Sequence, residues 1–278
     1  MKQVKISLAG DLGSGKSTVG KVLEKQFGLR YYSTGTIQRE IAEGMGMTPL
    51  QLNRYMETHP EIDQKIDDGL RALERAEAGL VIDSRMAWHF VPSSFAVYMM
   101  AAPLVAAARI LAAGRANESF STLEEAASSV AARRESEARR YKDMYGVDIC
   151  DLENYDYVID TSFVSPDTVA AHIAAHLQMF AAGESFARYE ICPARLLPAG
   201  SEAGAPAFAE SGGFFYIVSG ADAVAQAISR GEPLVACSRC ALEDAAAFAR
   251  ENCTEEKVES WVRRTGVTPA ALPPFLQR

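Results

Sequence analysis

The nine residues Gly10-Asp11-Leu12-Gly13-Ser14-Gly15-Lys16-Ser17-Thr18 constrain the fold of this chain more than any other stretch. They fit G-x-x-x-x-G-K-[ST], a loop whose backbone N–H groups cradle phosphates. The flanks suit that use. Residues 4–9 read as a buried strand, and residues 18–27 carry Val19, Val22, Leu23 and Phe27 at helical spacing. A strand feeding a glycine loop and then a helix N-terminus aims amide protons and the positive end of the helix dipole at one point. Gly10, Gly13, Ser14, Gly15, Lys16, Ser17 and Thr18 are therefore the candidates for binding the phosphates of ATP. In such a cradle the Lys16 ammonium would neutralise the β- and γ-phosphates, and the Ser17 hydroxyl would ligate Mg2+. A glycine turn with no ligand is the alternative, and the full motif between strand and helix argues against it.

A chain of 278 residues has room for one large domain or two small ones. Its formal net charge of −8 disfavours generic capture of nucleic acid, although local arginine clusters can still bind small anions. No apolar run approaches the ~20 residues that span a membrane, so no membrane partner is expected. The N-terminus runs straight into a strand, without a signal peptide. Five cysteines, an odd number spread over a long chain, suit reduced thiols. Together these features point to a cytoplasmic protein.

A second strand is expected at residues 29–32, ending in Ser33-Thr34-Gly35. Helix follows over residues 37–78, broken at 44–48 and at His59-Pro60. Short apolar runs at residues 80–83, 95–100 and 157–160 suit central parallel strands. Between the last two lie an alanine-rich helix reaching about residue 113 and a charged helix over 123–144. Ser165-Pro166-Asp167 caps a final helix to about residue 180. This alternation predicts an α/β fold over residues 1–182: a P-loop NTPase parallel sheet of five strands with helices on both faces. The pattern changes near residues 181–185, and a smaller α+β domain is expected over 186–278. There, residues 193–213 read as loop, 214–218 and 234–236 as strands, and 221–229 and 242–250 as helices. Pro269, Pro273 and Pro274 rule out regular helix near the end.

Phosphoryl transfer needs positioning and charge neutralisation more than covalent chemistry. Where the acceptor is itself a phosphate, its oxygens are already ionised and no strong base is required. Such a chain can lack catalytic His and Cys, and it sets arginines beside loops. Arg39 stands one helical turn past Ser33-Thr34-Gly35. Arg85 follows the third strand in Asp83-Ser84-Arg85, at the strand end where ligands bind in parallel sheets. Arg109 and Arg115 lie on the alanine-rich helix, and Arg133, Arg134, Arg139 and Arg140 share one charged segment. The planar arginine fork holds two phosphate oxygens at once. Each arginine also has a plainer reading as part of a solvated helix face. That reading is strongest for Arg109 and Arg115, and interspersed Glu135 and Glu137 keep it open for residues 133–140. Asp83 either caps the next turn or stands near Mg2+; a P-loop fold needs an acid at such a strand end, which favours the second.

Further pieces stand in order behind the P-loop. They are Ser33-Thr34-Gly35-Thr36-Ile37-Gln38-Arg39-Glu40, Met45-Gly46-Met47-Thr48, the segment from His59 through Asp63 to Asp67, Asp83-Ser84-Arg85, the segment from Arg133 to Lys142, Tyr145-Gly146-Val147-Asp148, and Tyr155-Asp156-Tyr157-Val158-Ile159-Asp160-Thr161-Ser162. Together, over residues 1–180, they resemble the cytidylate kinases in their compact archaeal-type form, within the nucleoside monophosphate kinases. The first piece is similar to that family's S-x-G-x-x-x-R acceptor-phosphate segment, the next two to its monophosphate-binding insertion, and residues 133–142 to its lid. The resemblance implies transfer of the ATP γ-phosphoryl group, with Mg2+, to a pyrimidine nucleoside monophosphate such as CMP or dCMP. It implies Ser33, Gly35, Arg39, Asp63 and Arg85 at the acceptor. Lys16, Arg85, Arg133 and Arg140 would surround the transferring group, with Ser17 and Asp83 at the metal. Thr36 and Gln38 replace residues that are often acidic and aromatic, and Ser84 and Met86 replace the usual glycine and leucine. These departures leave the base of the acceptor open.

Residues 214–228 are faintly similar to the central segment of ParB/sulfiredoxin-like domains, without the acid, histidines and arginine of that motif. The similarity implies topology and no activity; a protein or ligand partner for this domain is expected only in general terms. Cys237-Ser238-Arg239-Cys240 is a lone C-x-x-C, and His172 and His176 have no acidic partner in sequence. Neither calls for a further metal site.

Overall fold

Strand β1 (Lys5–Gly10) is buried without a break from Ile6 to Gly10, Ser7 included, as a strand covered on both faces of a parallel sheet must be. The computed structural model describes residues 4–113 and 120–277. Its first unit, residues 1–184, continues through α1 (Lys16–Phe27), β2 (Arg30–Ser33), α2 (Thr34–Gly44), α3 (Pro49–Met56), α4 (Pro60–Glu74) and β3 (Leu80–Asp83). Next come α5 (Ala87–Phe90), β4 (Phe95–Met100), α6 (Pro103–Ala112), α7 (Leu123–Tyr145), β5 (Tyr157–Asp160) and α8 (Pro166–Ala182). The strands pair in parallel in the order β2-β3-β1-β4-β5. Since β1 has β3 on one side and β4 on the other, the connections diverge and open a crevice at the strands' carboxyl ends.

Helices cover both faces of the sheet. On one, Gly20 of α1 lies so close to β2 that a Cβ there would fall 2.5 Å from the Tyr31 ring. On the other, Leu80 and Ile82 pack with Leu70 of α4, Ala87 of α5 and Tyr141 of α7. The expected helix breaks have local causes. Thr48 and Gln51 form a reciprocal cap at the start of α3, Pro60 opens α4, and Ser165 Oγ accepts from Thr168 N at α8. Helix α5 is too short to leave a periodic signal. Arg115 lies outside the described residues. Among those described, no helix is long and apolar enough to cross a membrane.

The second unit, residues 185–278, comprises β6 (Tyr189–Ile191), β7 (Leu196–Pro198), β8 (Ala207–Ser211), β9 (Phe214–Ser219), α9 (Ala221–Ser229), β10 (Val235–Arg239), α10 (Ala245–Asn252) and α11 (Glu255–Thr265). Its strands form a mixed sheet in the order β6-β10-β8-β9-β7. This corrects the expectation of loop over residues 193–213, which hold β7 and β8. Pro198 is tolerated because β7 is an edge strand. Gly200 lets the chain approach β9, where a Cβ would stand 1.9 Å from Val218 O. Helix α11 has no counterpart among the expected elements, although its signals are local: Thr254 caps its start, Gly266 its end, and Val258 and Trp261 are buried.

Candidate active site

The cradle is built from its glycines outward. At Gly10 φ is 131°, and a Cβ would stand 2.1 Å from Met99 O, so no side chain fits where β1 turns into the loop. Gly15, with φ 86°, precedes α1 and offers no side-chain cap, which keeps the first helical amides for a ligand. The loop is held from behind. The Thr161 hydroxyl lies 2.8 Å from Ser14 O. Arg109 donates from Nη1 to Gly13 O (3.3 Å) and from Nη2 to Thr161 O (2.6 Å) and Ser162 O (3.1 Å). Arg109 is thus a clip between the loop and the end of β5, not part of a solvated helix face. Asp11 is fixed likewise: its carboxylate accepts from Tyr98 OH (3.0 Å) and Ala101 N (3.0 Å), and it pairs with Arg134 at 3.3 Å.

Lys16 spans the loop, donating from Nζ to Gly10 O (3.0 Å), Asp11 O (2.6 Å) and Ser14 Oγ (3.4 Å). Burial, and then the neighbouring Arg85 guanidinium, lower its pKa to about 7, against the opposing pull of Asp83, Asp11 and Glu137.

In front of the loop lies a cleft of about 380 Å³. Gly13, Ser14, Gly15, Lys16, Ser17 and Thr18 of the loop line it together with Gly35, Gln38, Arg39, Asp83, Arg85, Arg133 and Glu137 from other elements. Among the described residues its lining carries five cations, Lys16, Arg39, Arg85, Arg109 and Arg133, against two acids, Asp83 and Glu137. Such an excess suits a polyanion. The wall turns apolar at Ile110, Val164, Pro166 and Val169, which suits a flat ring.

Each charged group has a support. Asp83 Oδ2 accepts from Tyr31 OH at 2.8 Å, and Arg39 Nη2 donates to Thr36 Oγ1 at 3.0 Å. Glu137 divides its oxygens between two arginines: Oε2 accepts from Arg85 Nε (2.8 Å) and Oε1 from Arg133 Nε (3.0 Å). Burial alone would push the Glu137 carboxyl up, yet Arg85, Arg133 and Arg140 hold it down at about 2.

Four expected site residues are not on the cleft wall. Gly10 shapes the loop through its backbone, and Ser33 Oγ caps α2 by accepting from Thr36 N at 3.2 Å. Arg140 and Asp63 turn away from the cleft and are buried against each other, Nε to Oδ2 at 3.1 Å. Arg140 also donates from Nη1 to Asn53 O (3.2 Å) and Oδ1 (3.0 Å). A buried cation needs such acceptors, and α3 and α4 supply them. The sequence pieces contain Thr161 and Glu137 but gave neither a role in the site. Glu137 left a trace in its i,i+4 spacing from Arg133, and Thr161 only in its place at the end of the piece that runs from Tyr155 to Ser162.

The remaining candidates for metal chemistry have ordinary surroundings. The Cys237 thiol faces Val235 O at 3.4 Å, and burial raises its pKa to about 12, which disfavours a thiolate. His176 Nδ1 lies 2.9 Å from His172 O, and its ring stacks on Tyr157. Among the described residues, no three His, Cys, Asp or Glu side chains gather as a metal site would require.

The cytidylate kinase-like family matches residues 5–163, which contain the loop, Arg39, Arg85, Arg133 and Glu137. The chain is 34% identical over 198 residues to the cytidylate kinase of Thermoplasma volcanium, covering 70% of this chain and 98% of that protein. With the cytidylate kinase of Methanothrix thermoacetophila it shares 40% identity over 156 residues, 56% of this chain and 87% of the relative. It is also 35% identical over 177 residues to an S-adenosylmethionine-dependent nucleotide dehydratase of Lacinutrix mariniflava, of which it spans only 36%. Residues 185–278 lie outside the family match. With a polycationic cleft around a P-loop and a family match over more than half its length, this chain belongs to the cytidylate kinase-like family of phosphotransferases.

Proposed function

We propose that the chain transfers the γ-phosphoryl group of ATP, with Mg2+, to CMP or dCMP, releasing ADP and the nucleoside diphosphate. The observation that carries this reading is one cleft that gathers more cations than the loop itself supplies: Lys16 from the P-loop, and with it Arg39, Arg85 and Arg133 from other elements. A donor needs only the loop and its lysine. A second anion accounts for the other three cations. The names of the archaeal relatives support cytidine as its base.

In this reading the loop amides and Lys16 hold the donor phosphates, while Arg39 and Arg85 orient the acceptor phosphate. An acceptor oxygen forms its bond to the γ-phosphorus as the bridging β–γ oxygen departs with ADP. The ionised acceptor needs no base, in keeping with a cleft wall that holds no histidine. Arg133 meets the charge shared between the two phosphates. Ser17 and Asp83 both line the cleft and offer the hard oxygens that Mg2+ takes. They would hold the ion, which when bound neutralises charge on the β- and γ-phosphates. Bound nucleotides would leave little room for water, which otherwise competes as acceptor.

The test is a panel of nucleoside monophosphates with ATP and coupled detection of ADP, run on the full-length chain. CMP and dCMP should turn over fastest, and inertness of both sinks the proposal. Proton linkage gives a second check. With its pKa near 7, ligand-free Lys16 is mostly neutral at pH 8. A triphosphate raises that pKa, so ATP binding at pH 8 should take up about one proton, and at pH 6 almost none. Titration calorimetry at pH 8 in two buffers of different ionisation enthalpy reads this directly. Equal heats would remove Lys16 from the donor site.

A further inference from the structure

Glu137 is an acid in a cleft that otherwise gathers cations, and it lies deep in the wall, with a side chain 5% exposed. Burying a carboxylate there is costly unless partners compensate. Two do, and they come from different parts of the fold. Arg133 stands one turn earlier on α7, whereas Arg85 follows β3 and lies 52 positions away in sequence. Both bonds use the arginine Nε. For Arg85 this leaves the two terminal nitrogens, the pair that fits phosphate oxygens, available to a ligand.

Helix α7 is fastened on either side of this point. Ser136 Oγ donates to Glu57 Oε1 at 2.6 Å, tying α7 to the end of α3, and Arg140 reaches Asn53 and Asp63. The carboxylate therefore stands on a fixed backbone and can transmit that fixity to two long side chains. It also separates charges. Without it Arg85, Arg133 and Lys16 would face one another with less to offset their repulsion, and Glu137 is among the groups that favour the charged form of Lys16.

We propose that Glu137 is a positioning residue for phosphoryl transfer: one carboxylate that holds the Arg85 and Arg133 forks side by side so that both address the same pair of phosphates. This rests on the kinase reading above, and no contact between Glu137 and the substrate is required. The arginines alone, on stems with several free torsions, would have to be ordered by the substrate at each turnover.

Glu137→Gln keeps the shape but loses the charge and one acceptor oxygen. Glu137→Asp keeps both oxygens on a stem one methylene shorter and guards against a failure of the first variant to fold. With ATP and CMP, E137Q should lower kcat about a hundredfold with the KM for ATP changed less than about threefold. E137D should recover at least about tenfold of that loss. In the E137Q background, Arg85→Ala should cost less than about threefold more, since the bridge is already gone. Fully multiplicative losses, or a parental kcat in E137Q, would overturn the proposal. A readout independent of turnover separates this from a failure of the kinase reading. The Nε–H signals of Arg85 and Arg133 in ¹⁵N-labelled protein should exchange slowly in the parent and quickly in E137Q, and in E137D should remain slower than in E137Q. Equal exchange in parent and E137Q would refute the bridge whatever the enzyme turns over.

Discussion

Replacing Lys16 with alanine is expected to lower kcat by about 10²–10³ while leaving the thermal midpoint close to that of the parent. The catalytic part follows from position. The ammonium is the cation that the loop itself supplies, and it lies against Gly10 O, Asp11 O and Ser14 Oγ, where donor phosphates would replace those contacts. The stability part follows from electrostatics. Burial and Arg85 disfavour the charged lysine in the folded chain, so its removal relieves a penalty while giving up three local bonds. Loop shape should survive, because Gly10 is set by its approach to Met99, and Ser14 and Gly13 are held by Thr161 and Arg109. Steady-state kinetics beside thermal unfolding tests both halves. A near-parental kcat would show that the loop does not hold the donor.

Arg85→Ala should lower kcat about 10²-fold and raise the KM for the monophosphate about tenfold, with the KM for ATP moved less than about threefold. Arg85 follows the carboxyl end of β3, the strand next to β1, and its Nε is engaged by Glu137. An alanine there removes a phosphate fork and leaves Glu137 with Arg133 as its nearer partner, so the acceptor side loses both a cation and its neighbour's geometry. Arg85→Lys restores charge without the planar fork and should recover only part of the loss. An unchanged KM for the monophosphate would exclude Arg85 from the acceptor site, whatever happened to kcat.

The two replacements separate what a single activity loss would merge. Lys16 belongs to the motif that many phosphate-binding folds share, and its loss should weaken use of the donor. Arg85 belongs to the further cations that other elements add to the cleft, which a protein that only bound or hydrolysed a triphosphate would not need. An acceptor-selective effect at Arg85 therefore bears on the reaction class, and Lys16 alone cannot.

Much of the first unit was legible because its determinants are local. The P-loop pattern, the apolar runs of β3, β4 and β5, the caps at Thr48 and Ser165, and the break at Pro60 all act within a few residues. The second unit was harder to read. Strands β7 and β8 lie in Pro-, Gly- and Ala-rich chain whose composition resembles loop; β7 finds its partner β9 at a distance, and β8 folds back on β9 across Gly212-Gly213 and takes β10 on its other edge. Composition reports what a segment favours alone; edge position decided what Pro198 and Gly200 could do.

The same division runs through the site. From sequence alone came the cradle, the arginines that follow strands β2 and β3, and the i,i+4 spacing of Arg133 and Glu137. Tertiary structure decided which cations face the cleft. It turned Arg109 into a clip on the loop, sent Arg140 into a buried pairing with Asp63, and joined Glu137 to Arg85 across 52 positions. Spacing along a helix determines which side chains can be neighbours on one face. Only packing determines which of them lose water, and a charge that loses water must find its partner wherever the fold has brought one.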